Sequence, residues 1–245
     1  MNRLIAALLA TAVLSLPAGA AAQDSGVIPP TPPSLRTFFP DLAKDVRQLP
    51  SDPGAVSIAI GAILSTSLYP LDDNVNEWTP ANGYKPGKYM GNFAVLAAGT
   101  LATYGIGAWA GTPGVTALAA DLLRSQALAL GLTYGLKYAV QRPRPDGTSD
   151  DSFPSGHASE TFAVASVLTK YYGWKGALPG YSWASYVAVS RLNQKRHFLS
   201  DVVFGAGLGL GVGWSGARPE SNWRIVPEVS PSRASINVTR SSRMP

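Results

Sequence analysis

The sequence predicts an all-α fold, a helical bundle of about six helices followed by a short C-terminal tail. Hydrophobic residues make up 46% of the 245 residues and charged residues only 14%, below the usual share of about a quarter. Much of the chain must therefore be buried or lie near lipid. Long apolar stretches are separated by glycine and proline, which interrupt helices. No strand-like alternation of apolar and polar residues occurs before residue 216.

The first residues are typical of a secretory signal peptide. Arg3 supplies a basic start, an apolar run follows over 4–16, and small residues occupy 18–22. This order favours export and removal of the segment, and the apolar run is too short to span a bilayer. We predict a signal peptide over 1–22, which leaves a mature periplasmic chain of 245 − 22 = 223 residues. Cleavage after Ala20 and an uncleaved anchor are the alternatives.

The rest of the chain divides by composition. Residues 23–50 form a Pro-rich N-terminal segment, 51–216 a helical domain and 217–245 a C-terminal tail. Two stretches of the tail, 223–229 and 234–239, alternate weakly between polar and apolar residues. Such alternation is typical of the strands of a β-hairpin.

Proline and glycine set most of the predicted helix boundaries. Pro113 fits the first turn of a helix, because its missing N–H costs nothing there. The predicted helices span 40–49, 55–68, 88–111, 113–141, 155–172, 182–193 and 198–214. We expect a loop over 72–86.

Whether the bundle lies in a membrane depends on its longest uncharged run. Residues 89–120 carry no charge, which is long enough for a transmembrane helix. The first part of that run is rich in Ala and Gly, which add little insertion free energy, and Pro113 divides it. Asp121 and Arg124 follow in the next helix, where charges are costly in lipid. We therefore prefer a soluble bundle, with peripheral or integral membrane association as the alternative.

Composition excludes several kinds of site. The chain has no cysteine, so disulfides, thiolate metal sites and cysteine nucleophiles are excluded. It has two histidines, His157 and His197, too few for a zinc site built from several histidines. The net charge of +5 is modest and the positive residues are not in runs. Nucleic acid is therefore not an expected partner.

Three short segments hold candidate chemistry: 137–145, 154–157 and 190–201. Both histidines lie within them. In the first segment, Lys137 and Arg144 flank a helix end, because the proline between them cannot continue a helix. Arg144 then lies in a loop that can fold back towards Lys137.

The second segment, Pro-Ser-Gly-His, is a natural helix start. Ser155 fits the N-cap, and Gly156 lets a ligand approach the backbone. Free N–H groups at a helix start favour an anion such as phosphate. In the third segment, His197 and Asp201 are four residues apart. On a helix they share a face, so Asp201 can hold one imidazole nitrogen. Arg191 precedes this pair.

Each pattern by itself also has an ordinary structural explanation. The first can be a solvated helix end and the second a simple turn into a helix. The third can be a surface pair worth under about 1 kcal/mol. Three such segments in one chain, each with phosphate-binding groups or a histidine and its acid, favour function. We expect the remaining charges nearby to be solvated loop or surface residues: Asp146, Asp150, Asp151, Arg142, Lys195 and Arg196.

Together, the three segments resemble the superfamily of type 2 phosphatidic acid phosphatases, bacterial class A acid phosphatases and vanadium haloperoxidases. The shared pattern is Lys-x6-Arg-Pro, then Pro-Ser-Gly-His, then Ser-Arg-x5-His-x3-Asp, and this chain matches each part without a gap. The resemblance covers about residues 85–216. The spacing selects the Arg-Pro pair that begins at Arg144 rather than the one at Arg142.

The resemblance implies a role for each matching residue. His197 would be the nucleophile that forms a phosphohistidine, with Asp201 orienting it. His157 would be the general acid that protonates the leaving oxygen and later activates water. No metal or other cofactor is implied. Cations and helix-start groups would bind the phosphoryl oxygens: Lys137, Arg144, Arg191, Ser155 and Gly156.

The implied activity is that of an exported, metal-independent phosphatase acting on phosphomonoesters or pyrophosphates. The acid phosphatases usually carry Gly-Ser-Tyr before Pro-Ser-Gly-His and Thr after it. Here the flanks are Asp-Ser-Phe over 151–153 and Ala158, which leaves lipid phosphatases open. The apolar composition slightly favours a lipid phosphate as substrate. The alternatives are a haloperoxidase, which would need vanadate in the same pocket, and a non-catalytic envelope protein that has kept the motif residues.

Overall fold

The computed structural model describes residues 35–79, 85–217, 223–230 and 233–240. The predicted signal peptide lies outside these residues, as does the first part of the Pro-rich segment, 23–34. The helices are α1 Phe38–Gln48, α2 Gly54–Leu68, α3 Asp72–Trp78, α4 Lys85–Met90, α5 Phe93–Trp109, α6 Pro113–Val140, α7 Gly156–Tyr172, α8 Trp174–Asn193 and α9 Leu199–Gly216. The strands are β1 Trp223–Ser230 and β2 Arg233–Arg240.

The all-α class is confirmed. Six of the described helices have between 15 and 28 residues, namely α2 and α5 to α9. In the tail, β1 and β2 pair antiparallel, with Trp223 opposite Arg240 and Ser230 opposite Arg233. The β-hairpin predicted from the weak alternation of polar and apolar residues in the tail is present.

Three predicted boundaries were wrong. The predicted helix 88–111 is two helices, because Asn92 starts a new one: its Oδ1 accepts the N–H of Ala94 at 2.9 Å. α8 begins at Trp174 and carries Pro179 inside it, whereas the sequence placed its start at 182. The predicted loop 72–86 contains α3, whose first turn is acidic.

Glycines on α9 allow the close packing that shapes the site. α9 packs against α2 and α7. A Cβ added to Gly209 would stand 2.3 Å from the carbonyl oxygen of Ser159 on α7. A Cβ on Gly207 would stand 2.7 Å from the Cα of Gly61 on α2. Because no side chain separates the backbones, the first turns of α7 and α9 lie side by side, and the Ser155 N–H donates to the Asp201 carbonyl oxygen at 3.0 Å.

A buried ionic network ties α1 onto the bundle. Arg124 Nε donates to Asp45 Oδ2 at 3.1 Å, and Arg124 Nη2 donates to Asp121 Oδ1 at 2.5 Å. The Tyr171 hydroxyl donates to the other oxygen of Asp121 at 2.7 Å. The charges of α6 that argued against lipid are thus paired inside the protein, where their cost is offset. α1 belongs to this packed unit, although all of it lies in the predicted Pro-rich segment.

Several apolar faces are left uncovered by the rest of the bundle. Two stretches are long and apolar enough to cross a membrane: Gly54–Trp78, with mean hydropathy 1.5, and Pro113–Val140, with mean hydropathy 1.3. Of the most apolar window in each, 17% is buried in the first and 61% in the second. On α2, the exposed large side chains are Val56, Ile60, Ile63 and Leu64.

Candidate active site

The predicted site residues converge at one end of the bundle. The C-terminal turn of α6 brings Lys137, and that of α8 brings Arg191. The first turn of α7 brings His157, and His197 immediately precedes α9. Gln141 ends α6 in the left-handed conformation (φ 50°), so the chain turns back and carries the loop 141–155 across the site.

His197 is buried and its tautomer is set by a backbone carbonyl. Its Nδ1 lies 2.6 Å from the carbonyl oxygen of Ser152. A carbonyl only accepts, so Nδ1 carries the proton and Nε2 keeps its lone pair. The Asp201 Oδ2 lies 4.0 Å from Nδ1, so the expected hydrogen bond from histidine to aspartate is made to Ser152 instead. Burial, together with the charge of Lys137, holds the pKa of His197 well below its usual value, so the ring is neutral at pH 7.

Asp201 is fully buried but surrounded by donors. Its Oδ2 accepts from the Ser152 hydroxyl at 2.5 Å and from the Phe198 N–H at 2.9 Å. Its Oδ1 accepts from Arg142 Nη1 at 2.7 Å. Burial raises the pKa of Asp201, and the bonds from Ser152 and Arg142 oppose that rise. The carboxylate is therefore held close to the histidine by contacts on both of its oxygens.

Three cationic side chains line the site: Lys137, Arg144 and Arg191. Lys137 Nζ donates to the carbonyl oxygen of Asp151. Arg144 Nη2 donates to Asp151 Oδ2 at 2.9 Å, and Arg144 Nε lies 2.8 Å from Oδ1 without hydrogen-bonding geometry. Arg191 is 4% exposed and donates to Gln194 Oε1 at 2.6 Å. Its Nε has no partner among the described residues.

The charge of Arg191 persists despite its burial. Burial, then the neighbouring charge of Arg144, lowers the pKa of Arg191 to about 10, so the guanidinium is still protonated at pH 7. A buried cation next to another cation is stabilised by an anion that binds between them. The cluster is therefore suited to an oxyanion with several oxygens, such as a phosphoryl group.

The start of α7 adds donors to the cation cluster. The amide of Ser155 is occupied, because it donates to the Asp201 carbonyl oxygen at 3.0 Å; the sequence had offered this amide for phosphate. The Ser155 hydroxyl is buried and without a partner among the residues that the structure describes. Gly156 is the first residue of α7, and the first amides of a helix have no partner within it. Ser155 Oγ and the Gly156 N–H are the donors that remain for an anion.

His157 lies against α4. Its Nε2 lies 3.0 Å from the carbonyl oxygen of Lys88, so Nε2 carries a proton and Nδ1 is the nitrogen that can exchange one. Burial, then the charge of Arg191, lowers the pKa of His157 to about 4. In the free protein at pH 7 the ring is neutral, and it gains a proton readily only when an anion offsets the cations beside it.

Sequence analysis did not identify the residues that bind Oδ1 of Asp201 and hold it in place. Arg142, expected at the surface, pairs at 2.7 Å with Asp201 Oδ1 and at 2.7 Å with Asp72 Oδ2. Asp72 lies in the predicted loop, at the start of α3. Consecutive acidic residues Asp72 and Asp73 directly after a proline turn are a recognised helix-start signal and could have located α3.

Two further charges expected in solvent also have partners. Asp151 binds Arg144, as described above, because the loop folds back over the cations. Lys195 donates to the carbonyl oxygens of Asn76 and Thr79, the latter at 2.7 Å, and so holds the C-terminal end of α3. Among the described residues, no three His, Asp or Glu side chains are grouped as a metal site.

The fold and the site define a helical protein with a buried histidine beside a cluster of cations, and the chain was compared with known proteins. Residues 118–223 match the sequence model of the PAP2 superfamily. Over 99 residues the chain is 40% identical to lipid A 1-phosphatase of Porphyromonas gingivalis, a stretch that is 38% of this chain and 22% of that relative. The chain thus spans about a fifth of the length of the curated relative that it matches.

The fold is also that of a solved relative. The crystal structure of a transmembrane PAP2 type phosphatidylglycerolphosphate phosphatase from Bacillus subtilis superimposes with a TM-score of 0.55 at 20% identity. The match covers 66% of this chain and 93% of that one. The matched residues 118–223 include every predicted site residue, and the resemblance predicted from the three segments is confirmed.

Proposed function

We propose that this protein is a metal-independent phosphatase that cleaves phosphomonoesters or pyrophosphates, lipid phosphates above all, through a phosphohistidine at His197. One observation carries the proposal. The Nδ1 proton of His197 is bound to the Ser152 carbonyl oxygen at 2.6 Å, which leaves the Nε2 lone pair free at neutral pH. A neutral imidazole beside three cations is suited to attack a phosphoryl group that those cations bind.

In the first step, Nε2 of His197 forms a bond to phosphorus while the bond from phosphorus to the leaving oxygen breaks. The leaving oxygen takes a proton from Nδ1 of His157. Positive charge develops on the His197 ring, and the Asp201 carboxylate, 4.0 Å from its Nδ1, stabilises that charge. Lys137, Arg144 and Arg191 stabilise the negative charge on the equatorial phosphoryl oxygens.

In the second step, water attacks the phosphohistidine. His157, now neutral, accepts a proton from the water at Nδ1, and the bond from phosphorus to His197 Nε2 breaks. Inorganic phosphate takes the Nδ1 proton of His157 as it leaves, so both rings return to their neutral starting state. The low pKa of His157, about 4 in the free site, favours neutral His157 as base once the leaving group has departed.

For the first step, the proton on His157 comes with the substrate. A phosphate monoester has a second pKa of about 6, so part of it arrives as the monoanion near neutral pH. When the monoanion binds to the protein with neutral His157, its proton can move to His157. The result is a bound dianion beside protonated His157, with no proton gained or lost. The bound phosphoryl group offsets Arg191, whose charge otherwise opposes protonation of His157. The reactive state is therefore reached without a protonated free enzyme.

A membrane association and a lipid substrate are part of the proposal. The relatives named above act, by their names, on lipid A and on phosphatidylglycerolphosphate. α2 leaves most of its apolar surface uncovered, and a continuous apolar face of this kind fits acyl chains. Export to the periplasm is predicted from residues 1–22, outside the described residues.

Exposed aromatic residues support this placement. Tyr69 and Tyr138 are exposed near the site end of α2 and α6, and Trp109, Trp174 and Trp214 are exposed at the opposite ends of α5, α8 and α9. Tyrosine and tryptophan are enriched at both membrane interfaces. Two such groups at opposite ends of the bundle support a membrane arrangement in which the phosphoryl site lies at the level of the lipid headgroups.

A substrate panel tests the proposal. The purified full chain is assayed with an aryl phosphate, phosphatidate and undecaprenyl pyrophosphate, each with and without detergent, and His197→Ala serves as the inactive control. We expect turnover of the aryl phosphate and faster turnover of a lipid phosphate in detergent. Bromide oxidation that requires vanadate would indicate the haloperoxidase alternative, and no turnover of any phosphate would indicate a non-catalytic protein.

A further inference from the structure

We propose that Arg142 and Asp72 are positioning residues for the phosphoryl transfer: they fix the Asp201 carboxylate beside His197 and lock the first turn of α9. This inference rests on the proposed function. Asp72 lies outside the three sequence segments. Arg142 lies within the first segment, but the sequence pattern gives it no role. Neither residue contacts the phosphoryl group in the proposed mechanism.

The bridge is made of short contacts at both ends. Arg142 Nη1 donates to Asp201 Oδ1 and to the Ser200 hydroxyl, each at 2.7 Å. Arg142 Nη2 donates to Asp72 Oδ2 at 2.7 Å. Asp72 also accepts the Ser200 N–H at 2.9 Å on Oδ1. One guanidinium therefore joins two buried carboxylates, and Asp72 holds the helix start that carries Asp201.

Aromatic rings fix the plane of the guanidinium. The Arg142 Cζ lies 4.2 Å from the centroid of the Phe198 ring and 4.8 Å from that of Tyr69. Stacking of this kind orients a planar group and not a point charge. A lysine at the same position keeps one positive charge but cannot bridge both carboxylates in a fixed plane.

The segment that carries His197 is held by α3 at both ends of that helix. At the first turn, Asp72 binds Ser200 and Arg142. At the last turn, Lys195 donates to carbonyl oxygens of α3 and the residue that follows it. Between these two ties, His197 and α3 line the same small cleft. The position of His197 is thus set from outside the phosphate site.

The bridge also keeps Asp201 charged. Asp201 is fully buried. The groups that face it are Arg142, the Ser152 hydroxyl, the Phe198 N–H and the His197 ring, and the charge of Lys137 also acts on it. Without Arg142, two buried carboxylates remain close together with no cation between them, and such pairs take up a proton. A protonated Asp201 no longer offsets the charge that develops on His197. The cations that bind phosphate are held elsewhere, by Asp151 and Gln194.

Loss of the bridge should therefore lower the rate of transfer while leaving the affinity for an oxyanion largely intact. Removing the residues that orient a metal ligand typically costs about 10- to 100-fold in activity, and we expect a loss of similar size for kcat of Arg142→Gln. The inhibition constant of inorganic phosphate should change by less than about three-fold, since the cations that bind it are untouched. Arg142→Lys should recover part of kcat because it retains the charge, and Asp72→Asn should lose less than Arg142→Gln.

The experiment measures kcat, the inhibition constant of inorganic phosphate and the melting temperature of the full-length protein and these variants. Arg196→Gln is the matched control, because it removes a partly exposed pair with Asp146 in the same region and should behave like the wild type. If Arg142→Gln does not fold, Arg142→Lys and Asp72→Asn decide the question.

Unchanged kcat in Arg142→Gln and Asp72→Asn would overturn the inference, as would an equal loss of kcat and of affinity for inorganic phosphate. The second result would mean that Arg142 binds the phosphoryl group itself. The wild-type rate tests the proposed function separately, because absence of phosphatase activity in the wild type would refute that proposal. The ratio of the variant rate to the wild-type rate tests the positioning role of Arg142 and Asp72.

Discussion

Asp151→Asn should strengthen the binding of oxyanions. In the structure the Asp151 carboxylate contacts Arg144 through both oxygens, at 2.8 and 2.9 Å. In the proposed mechanism, Arg144 and Lys137 are groups that bind a phosphoryl oxygen. Asp151 therefore occupies part of the phosphate site in the free protein and has to give up this contact when substrate binds.

The expected gain follows from exposure and charge. The Asp151 side chain is 44% exposed, so solvent screens its pair with Arg144, and pairs of this kind are worth about 0.2 to 1 kcal/mol. A difference of about 1.4 kcal/mol is ten-fold in affinity, so releasing the pair raises phosphate affinity by up to about five-fold. Removing the repulsion between the carboxylate and a phosphate anion adds to this gain.

Inhibition constants for inorganic phosphate and vanadate, measured with an aryl phosphate as substrate, test the prediction. Asp150→Asn is the matched control, because it makes the same change of charge one residue away at an exposed position. We expect both inhibitors to bind Asp151→Asn more tightly than Asp150→Asn or the wild type. Weaker binding in Asp151→Asn alone would refute this reasoning and would mean that Asp151 holds Arg144 in its binding position.

Three other predictions concern metal, packing and pH. Hydrolysis should survive excess chelator and be blocked by vanadate; loss of activity on chelation that magnesium or zinc restores would count against the mechanism. Gly209→Ala should lower the free energy of unfolding by about 1 to 3 kcal/mol, since its Cβ meets Ser159 at 2.3 Å. Gly131→Ala, whose Cβ meets nothing within 4 Å, should be neutral or stabilising in a thermal melt. Because the pKa of free His157 is about 4, kcat/KM should fall as pH rises through the second pKa of the substrate, about 6. The pH at which kcat/KM falls should differ between substrates with different second pKa values. If that pH is the same for all substrates, the fall reports an ionisation of the enzyme.

The fold could be predicted where single residues mark a boundary. Pro113 at the start of α6 and Ser155 before α7 follow rules that depend only on the local chain. α3 was missed because it has 7 residues, too few for a periodic pattern. The start of α8 was missed because Pro179, which usually ends a helix, lies inside this one.

More of the candidate catalytic residues than of the residues that position them could be predicted from the sequence. His157 and His197 were the only histidines, and fixed spacing tied each to a phosphate-binding segment. The partner of His197 is a backbone carbonyl, which every residue has, so no sequence pattern distinguishes it. The pairing of Arg142 with Asp72 joins residues 70 positions apart, and only the packing of α3 against α9 brings them together.

Trapping of the phosphoenzyme is the most direct test of the central claim, that His197 is the nucleophile and His157 the proton donor. Each variant is mixed with labelled aryl phosphate and quenched rapidly. General acid catalysis is typically worth a factor of about 10² to 10⁴, and it matters least for a nitrophenolate that leaves without a proton. His157→Ala should therefore keep measurable aryl phosphatase activity, lose most activity on an alkyl phosphate, and accumulate label. His197→Ala should show neither turnover nor label. Label on His197→Ala, or two variants equally inactive on the aryl substrate and equally unlabelled, would contradict the roles assigned to the two histidines.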